Sequence, residues 1–203
     1  MKDGLYFVTP DLDDTALLVA ISRAAIQGGA SLLQYRNKTA DAGLHLEQAS
    51  ALRVLTRETG CFFIVNDGFA LALEVEADGV HLGREDGDVA EVRRATNGRL
   101  AIGVSCYADF ERARAAHAAG ADYVAFGAMY ASSTKPHAPL APIGLIGRAR
   151  RELGARVACI GGITADNAAP LVEAGANWLA VITDIYQAAE PQAQAAKFAR
   201  LYA

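Results

Sequence analysis

Gln34, Arg36 and Lys38 occupy alternate positions in the stretch SLLQYRNK, residues 31–38. In an extended chain, alternate side chains leave on one face, so an amide, a guanidinium and an ammonium are aimed together. Cations gathered at a partly buried spot need a countercharge, and an anionic ligand supplies one. The plainer alternative, two rim residues snorkelling to water, leaves the face shared with Gln34 unexplained. Carboxylates recur further along: Asp67 follows Asn66 in VND, and Asp86 closes GRED. Taken singly, Asn66-Asp67 is an N-cap pattern and Asp86 a turn residue. Taken with two cations, they form an oxygen-only donor set. Mg2+ uses such sets, through one or two carboxylates plus the phosphates of a substrate. Glu85 is placed as well as Asp86 by sequence.

A second anion site is suggested further on. Ser132-Ser133-Thr134-Lys135 lies in the loop GAMYASSTKPHAP, residues 127–139. Hydroxyls, exposed backbone amides and one ammonium make a phosphate cradle, against the simpler reading of a mobile polar loop. IGGIT at 160–164 leads into a helix expected to begin near Thr164, where opening N–H groups can hold a phosphate. Gly162 belongs to this turn, and Ile182-Thr183 completes the site from a later strand. His81, Ser105 and Cys106 do not make a nucleophile triad, because spacing indicates no orienting carboxylate; His81 reads as a packed strand residue. His45, His117 and His137 carry no specific signal. The residues thus describe a diphosphate site with Mg2+, Arg and Lys, and a separate monophosphate site.

Positioning these groups requires a repeating scaffold. The fragments GGASLLQYR (28–36), EADGVHLG (76–83), GADYVAFG (120–127) and GANWLAVIT (175–183) share a plan: a small residue, a short polar one, then strand formers. Each follows an Ala-rich stretch with helical spacing, the usual pattern where a helix hands over to a buried strand. Between them lie LYFVT (5–9), FFIVN (62–66), LAIGVS (100–105) and RVACIGG (156–162). Helices are expected near 14–27, 41–59, 68–75, 88–97, 109–119, 142–153, 165–174 and 191–202. Short continuous apolar strands suit a parallel sheet buried on both faces. Eight βα units predict an α/β fold, a single (β/α)8 TIM barrel. A doubly wound open sheet is the alternative; the repeat of paired units favours closure. In a barrel, function sits at the C-terminal ends of the strands, where the candidates above fall. The opposite rim carries mostly Ala, Gly and Asp.

Composition agrees. The chain of 203 residues is 52% hydrophobic, enough for one sizeable core, and is read as one domain, 1–203. A net charge of −4, from 19 basic and 23 acidic residues well mixed along the chain, gives no nucleic-acid footprint. No apolar run is long enough for a membrane span, and MKDGLYFVTPDLDD lacks the apolar core of a signal peptide. Cys61, Cys106 and Cys159 are odd in number and lie in apolar stretches. They read as reduced buried thiols, which predicts the cytoplasm.

The motifs LLQYRNK, VNDGFALALEVEADGVHLGREDGD, IGVSCY, GADYVAFGAMYASSTK, IGGIT and AVIT span nearly the whole chain. In that order they resemble the thiamine-phosphate synthase family. The resemblance implies a transferase of thiamine biosynthesis that joins 4-amino-2-methyl-5-hydroxymethylpyrimidine diphosphate to a thiazole phosphate. Pyrophosphate leaves, and a pyrimidinylmethyl cation is captured by the thiazole nitrogen. It implies that Gln34, Tyr35, Arg36, Asn37, Lys38, Asn66, Ser105 and Lys135 contact the pyrimidine diphosphate. Arg36, Lys38, Ser105 and Lys135 would act catalytically, and Asp67 and Asp86 would bind Mg2+. Ser132, Ser133, Thr134, Gly162, Ile182 and Thr183 would hold the thiazole phosphate. Both partners are small molecules, and self-association into a homo-oligomer is left open. The chain departs from the family at Ser132 for Thr, Arg84 for Gln and Thr183-Asp184 for Ser-Ala. Arg84 would add a cation near the diphosphate, and Asp184 is expected to face away from phosphate. A related thiazole tautomerase would have no use for Lys38, Asn66-Asp67 and Lys135 together, and an intact Mg2+ site argues against a non-catalytic barrel that binds thiazole or thiamine phosphate.

Overall fold

The structure is a computed structural model that describes residues 1–131 and 139–203. Eight parallel strands, each paired with the next and the last with the first, close a barrel. They are β1 (Gly4–Val8), β2 (Ala30–Tyr35), β3 (Phe62–Asn66), β4 (Gly79–Leu82), β5 (Ala101–Tyr107), β6 (Tyr123–Phe126), β7 (Val157–Ile160) and β8 (Trp178–Val181). Alternation along each strand divides the apolar residues between two cores. Tyr6, Val8, Leu32, Ile64, Tyr123, Ala125, Ala158, Trp178 and Ala180 fill the interior. Leu5, Phe7, Leu33, Tyr35, Phe63 and Val65 face the helices instead. This is why the strands look continuously apolar: neither face meets water.

The helices are α1 (Thr15–Gln27), α2 (Ala42–Thr59), α3 (Phe69–Glu74), α4 (Val89–Ala95), α5 (Phe110–Ala118), α6 (Gly144–Leu153), α7 (Ala169–Glu173), α8 (Thr183–Tyr186) and α9 (Pro191–Ala199). Asp14, Asp41, Asp88 and Asp109 start four of them, each accepting a hydrogen bond from a first-turn backbone N–H. Two helical expectations need correction. The helix expected over 165–174 begins only at Ala169, so none opens at Thr164. Asn167 folds that segment back on itself, accepting from Thr164 N at 2.8 Å and donating to Gly162 O at 2.9 Å. Thr183, expected to complete the site from the last strand, instead opens the four-residue α8.

The short polar residue of the repeat is explained by the lower rim, where the strands begin. Asp78 accepts from Phe63 N at 2.8 Å, Asp122 from Ile102 N at 2.7 Å, and Asn177 from Val157 N at 2.9 Å. Each thus ties a strand start to an earlier strand and satisfies a backbone donor that the ladder leaves over. Ser31, the fourth, donates to Leu5 O at 3.2 Å. Trp178 plugs this end, its indole N–H donating to Lys2 O at 2.8 Å.

Candidate active site

The upper rim is assembled from the ends of β2, β3, β4 and β5 and the loops that follow them. Gln34 shares the interior face with Leu32, as alternation requires, and is buried. The strand ends at Tyr35, so Arg36 and Lys38 stand in the following loop. Thr9, at the end of β1, holds that loop: its hydroxyl donates to Arg36 O and accepts from Arg36 N, both at 2.8 Å. Asp11, which the sequence did not single out, accepts from the Arg36 guanidinium at 2.9 Å and from Lys38 N at 2.7 Å. Part of the countercharge for these cations is therefore internal. Two predicted contacts are engaged by the scaffold behind the rim, and both also line the cleft beside it. Tyr35 is packed outward against α2, donating to Gln48 Oε1 at 3.0 Å. Asn37 is consumed in shaping the loop, donating to Leu12 O and Gln48 and accepting from Thr39 and Ala40.

Asn66 ends β3 on the interior side, and Asp67 follows with φ of 62°. Asp is among the few side chains that tolerate this left-handed conformation. Its N–H donates to His81 O at 2.7 Å, which ties the turn to β4. Asp86 folds back so that its carboxylate accepts from Gly83 N at 2.8 Å. A Cβ placed at Gly83 would lie 2.5 Å from Asp86 Oδ2 and 3.9 Å from Asp67 Oδ1, so the two carboxylates flank one spot. Burial, then the hydrogen bond and the charge of Asp86, push Asp67 up to about 6, while Lys38 and Arg36 pull the other way. Glu85 is exposed. Arg84 stacks on Tyr107, 5.1 Å from its ring centroid. A cleft of about 740 Å³ opens beside this group, lined by Arg36, Lys38, Asn66, Asp67 and Glu74 among others.

Inside the barrel, Ser105 and His81 do meet, with Ser105 Oγ 2.9 Å from His81 Nε2. The other ring nitrogen lies 2.9 Å from the Tyr123 hydroxyl, with no carboxylate in the orienting position. This is not the Ser-His-acid arrangement. Burial pushes His81 down to about 4, against the opposing pull of Asp86, so the imidazole is neutral near pH 7. Tyr6 and Tyr123 are functional candidates that sequence reasoning missed. One trace of them was available: Gly103, inside β5, where an added Cβ would lie 2.0 Å from Tyr123 Cζ.

Beyond β7 and β8, Gly162 sits with φ of +65° beneath the Tyr130 and Ala131 carbonyls, each 2.6 Å from where a Cβ would stand. Ile182 packs on the interior cluster and precedes α8, which Thr183 opens. Asp184 accepts from Ala165 N, three residues past Gly162, at 3.1 Å and from Gln194 at 2.7 Å. Ser132, Ser133, Thr134 and Lys135 lie outside the described residues.

A closed (β/α)8 barrel with its unspent charged groups at the C-terminal ends of the strands is the architecture of a barrel enzyme. Comparison with known proteins narrows the class. The family model described as thiamine monophosphate synthase matches residues 5–185. The chain is 53% identical over 199 residues to the thiamine-phosphate synthase of Aromatoleum aromaticum, covering 98% of this chain and 96% of that one. It is 52% identical over 200 residues to the thiamine-phosphate synthase of an Azoarcus species, covering 98% and 97%. The solved thiamine phosphate pyrophosphorylase from Pyrococcus furiosus matches with a TM-score of 0.87 at 32% identity, covering 98% of this chain and 94% of that one. The chain belongs to the thiamine monophosphate synthase family, and is thereby a transferase of thiamine biosynthesis.

Proposed function

We propose that the upper rim joins 4-amino-2-methyl-5-hydroxymethylpyrimidine diphosphate to a thiazole phosphate, releasing pyrophosphate and thiamine phosphate. The observation that carries this reading is the pair Asp67 and Asp86, two carboxylates flanking one spot, with Lys38 and Arg36 acting on Asp67. Asp67, raised by burial and by the charge of Asp86, calls for a further cation beside Lys38 and Arg36. The donor set fits Mg2+, because all its atoms are carboxylate oxygens. Bound between Asp67 and Asp86, Mg2+ would supply Lewis-acid stabilisation of the departing diphosphate.

The protein's own contribution is positioning and charge. In the proposed reaction the bond from the pyrimidine methylene to the diphosphate oxygen breaks, and its electron pair leaves with pyrophosphate. The thiazole nitrogen then donates its lone pair to the methylene cation, so no proton has to be removed. No general base is therefore required. Arg36 and Lys38 oppose the negative charge that gathers on the leaving group, with Arg36 held ready by Asp11. Lys135 is assigned the same task from the sequence. Gln34, Asn66 and Ser105 would hold the pyrimidine, and Gly162, Ile182 and Thr183 the thiazole phosphate, together with Ser132, Ser133 and Thr134.

The three cysteines are free and buried, which supports a reducing compartment, the cytoplasm. No helix among the described residues is long and apolar enough to cross a membrane. The test is pyrophosphate release: it is expected only with both substrates present, and to stop in EDTA. Release unaffected by EDTA removes the metal from the reading. Turnover of thiazole phosphate alone, without pyrophosphate, would favour an isomerase on the same barrel.

A further inference from the structure

A chain of hydrogen bonds crosses the barrel interior and links two residues of the mouth. Gln34 Nε2 donates to the Tyr6 hydroxyl at 2.6 Å. The Tyr6 and Tyr123 hydroxyls are 2.8 Å apart. Tyr123 then meets His81 Nδ1 at 2.9 Å, and His81 Nε2 meets Ser105 Oγ at 2.9 Å. Tyr6 and Tyr123 are 1% exposed and His81 8%, so bulk water does not compete for these bonds. The chain is built into the strands. Gly103 leaves the space that the Tyr123 ring occupies, and the imidazole stacks on that ring with centroids 5.6 Å apart.

Counting protons orders the whole chain. Tyr6 accepts from Gln34, so its single hydroxyl proton goes to Tyr123. The Tyr123 proton then goes to His81 Nδ1, which must be bare. The one proton of a neutral imidazole therefore sits on Nε2 and is donated to Ser105 Oγ. An imidazolium would reverse the two tyrosines and set the Tyr6 proton against the Gln34 N–H, donor facing donor. The two ends are thus fixed in opposite senses. With its Nε2 committed inward, Gln34 has Oε1 turned away from Tyr6 as an acceptor. Ser105, already accepting from His81, keeps its own proton to donate.

We propose that Tyr6, Tyr123 and His81 are positioning residues that make the mouth offer one acceptor, Gln34 Oε1, and one donor, the Ser105 hydroxyl. That pair complements the exocyclic N–H and a ring nitrogen of a 4-aminopyrimidine. It opposes a 4-oxopyrimidine, whose carbonyl and ring N–H present the reverse. Selection of an amino over an oxo pyrimidine is the consequence, and it rests on the function proposed above.

Tyr123→Phe keeps the ring and removes the link. His81 is then free to take either tautomer, and Gln34 to turn its amide. The KM for the aminopyrimidine diphosphate should rise about tenfold with kcat and the thiazole phosphate KM within about threefold, since an imperfectly paired polar site weakens binding. Discrimination against the oxopyrimidine diphosphate, at least about 100-fold in the parent enzyme, should fall to below about tenfold. Tyr6→Phe breaks the same chain from the other side and should give the same relaxation if Tyr123→Phe folds poorly. Nitrogen-15 NMR of His81 reads the chain without any turnover: the parent should show a protonated Nε2 and bare Nδ1, and Tyr123→Phe a mixture. A protonated Nδ1 in the parent overturns the ordered chain whatever the activity. Unchanged discrimination in both variants overturns the positioning role. An intact Nε2 tautomer with no pyrophosphate release overturns the substrate half of the proposal, and the function it rests on, while the ordered chain stands.

Discussion

Both rims of the barrel carry carboxylates, and they are treated in opposite ways. At the lower rim Asp122 accepts from Ile102 N and also from Arg93, at 2.7 and 2.6 Å. Asp78 accepts from Phe63 N while Arg53 grips both its oxygens, at 3.0 and 3.1 Å. Asp3 takes a guanidinium from Arg156 and an amide from Asn177. At the upper rim Asp67 and Asp86 instead face one another, and mutual repulsion adds to burial in raising the pKa of Asp67. Satisfied carboxylates stabilise a fold. Carboxylates left facing one another are kept at a cost in stability, and a site proposed to take a cation and a diphosphate is where such a cost is tolerated. The same residue type thus separates scaffold from site by its partners.

The sharpest way to break this comparison is Asp67→Asn, which removes the charge and keeps a side chain that tolerates the left-handed backbone. Turnover should fall by a factor of about 10³ or more, the scale of losing a metal's charge stabilisation in the transition state. The urea midpoint should stay level or rise, because the substitution removes a buried charge facing a like one. Asp122→Ala should do the reverse. It strands the Ile102 N–H in a buried strand and should cost about 1–3 kcal/mol, read as a lower urea midpoint with kcat per folded molecule unchanged. Normal turnover in the first variant, or normal stability in the second, dissolves the contrast between the rims.

Arg36→Gln sharpens the comparison within the upper rim. Losing a charge-assisted contact should raise the KM for the pyrimidine diphosphate about tenfold and leave that for the thiazole phosphate within about twofold. Equal effects on both substrates would mean that Arg36 supports the rim as a whole through Asp11, and does not address one phosphate group.

These cases also show what could be read from the sequence. The barrel was legible because eight apolar runs and the helices between them repeat, and the repeat encodes strands buried on both faces. The acidic pair and the two cations were legible because they fall at neighbouring strand ends; the alternation read through Arg36 and Lys38 stops at Tyr35, and both stand in the loop after β2. What escaped depends on contacts between distant segments. Asp11 is 25 residues from the guanidinium it holds, and Tyr6 is 117 residues from Tyr123. An aromatic residue in an apolar strand looks like core, and only closure of the barrel shows that its hydroxyl has a partner. The lower-rim Asp and Asn residues were visible as a repeat, but their strand-tying role needed the register. The late start of α7 followed from Asn167, whose side chain bonds compete with the helix locally. The partners of Asp184, Ala165 N and Gln194, could not be foreseen.

The smallest effect expected is a pH dependence that compares Asp67 with His81, its neighbour on the adjacent strand. An unfolded Asp titrates near 3.9, and Asp67 is raised to about 6 in the fold. Between about pH 4 and 6 the native chain therefore binds more protons at this site, and its contribution to stability falls as pH rises. His81 runs the other way: lowered to about 4 from an ordinary value near 6.5, it contributes stability that is lost on acidification through that range. In EDTA the two opposing slopes should leave the parent's stability curve flatter than either alone. Asp67→Asn removes one of them. Its stability advantage over the parent should be largest near pH 7, shrink as pH falls through about 6, and vanish near pH 4, in urea midpoints measured across the range. Adding Mg2+ near pH 7 should stabilise the parent by preferential binding to the native state and leave Asp67→Asn unmoved. A difference between the two proteins that stays constant with pH would show that Asp67 is not strained by Asp86, and the contrast between the rims would lose its physical basis.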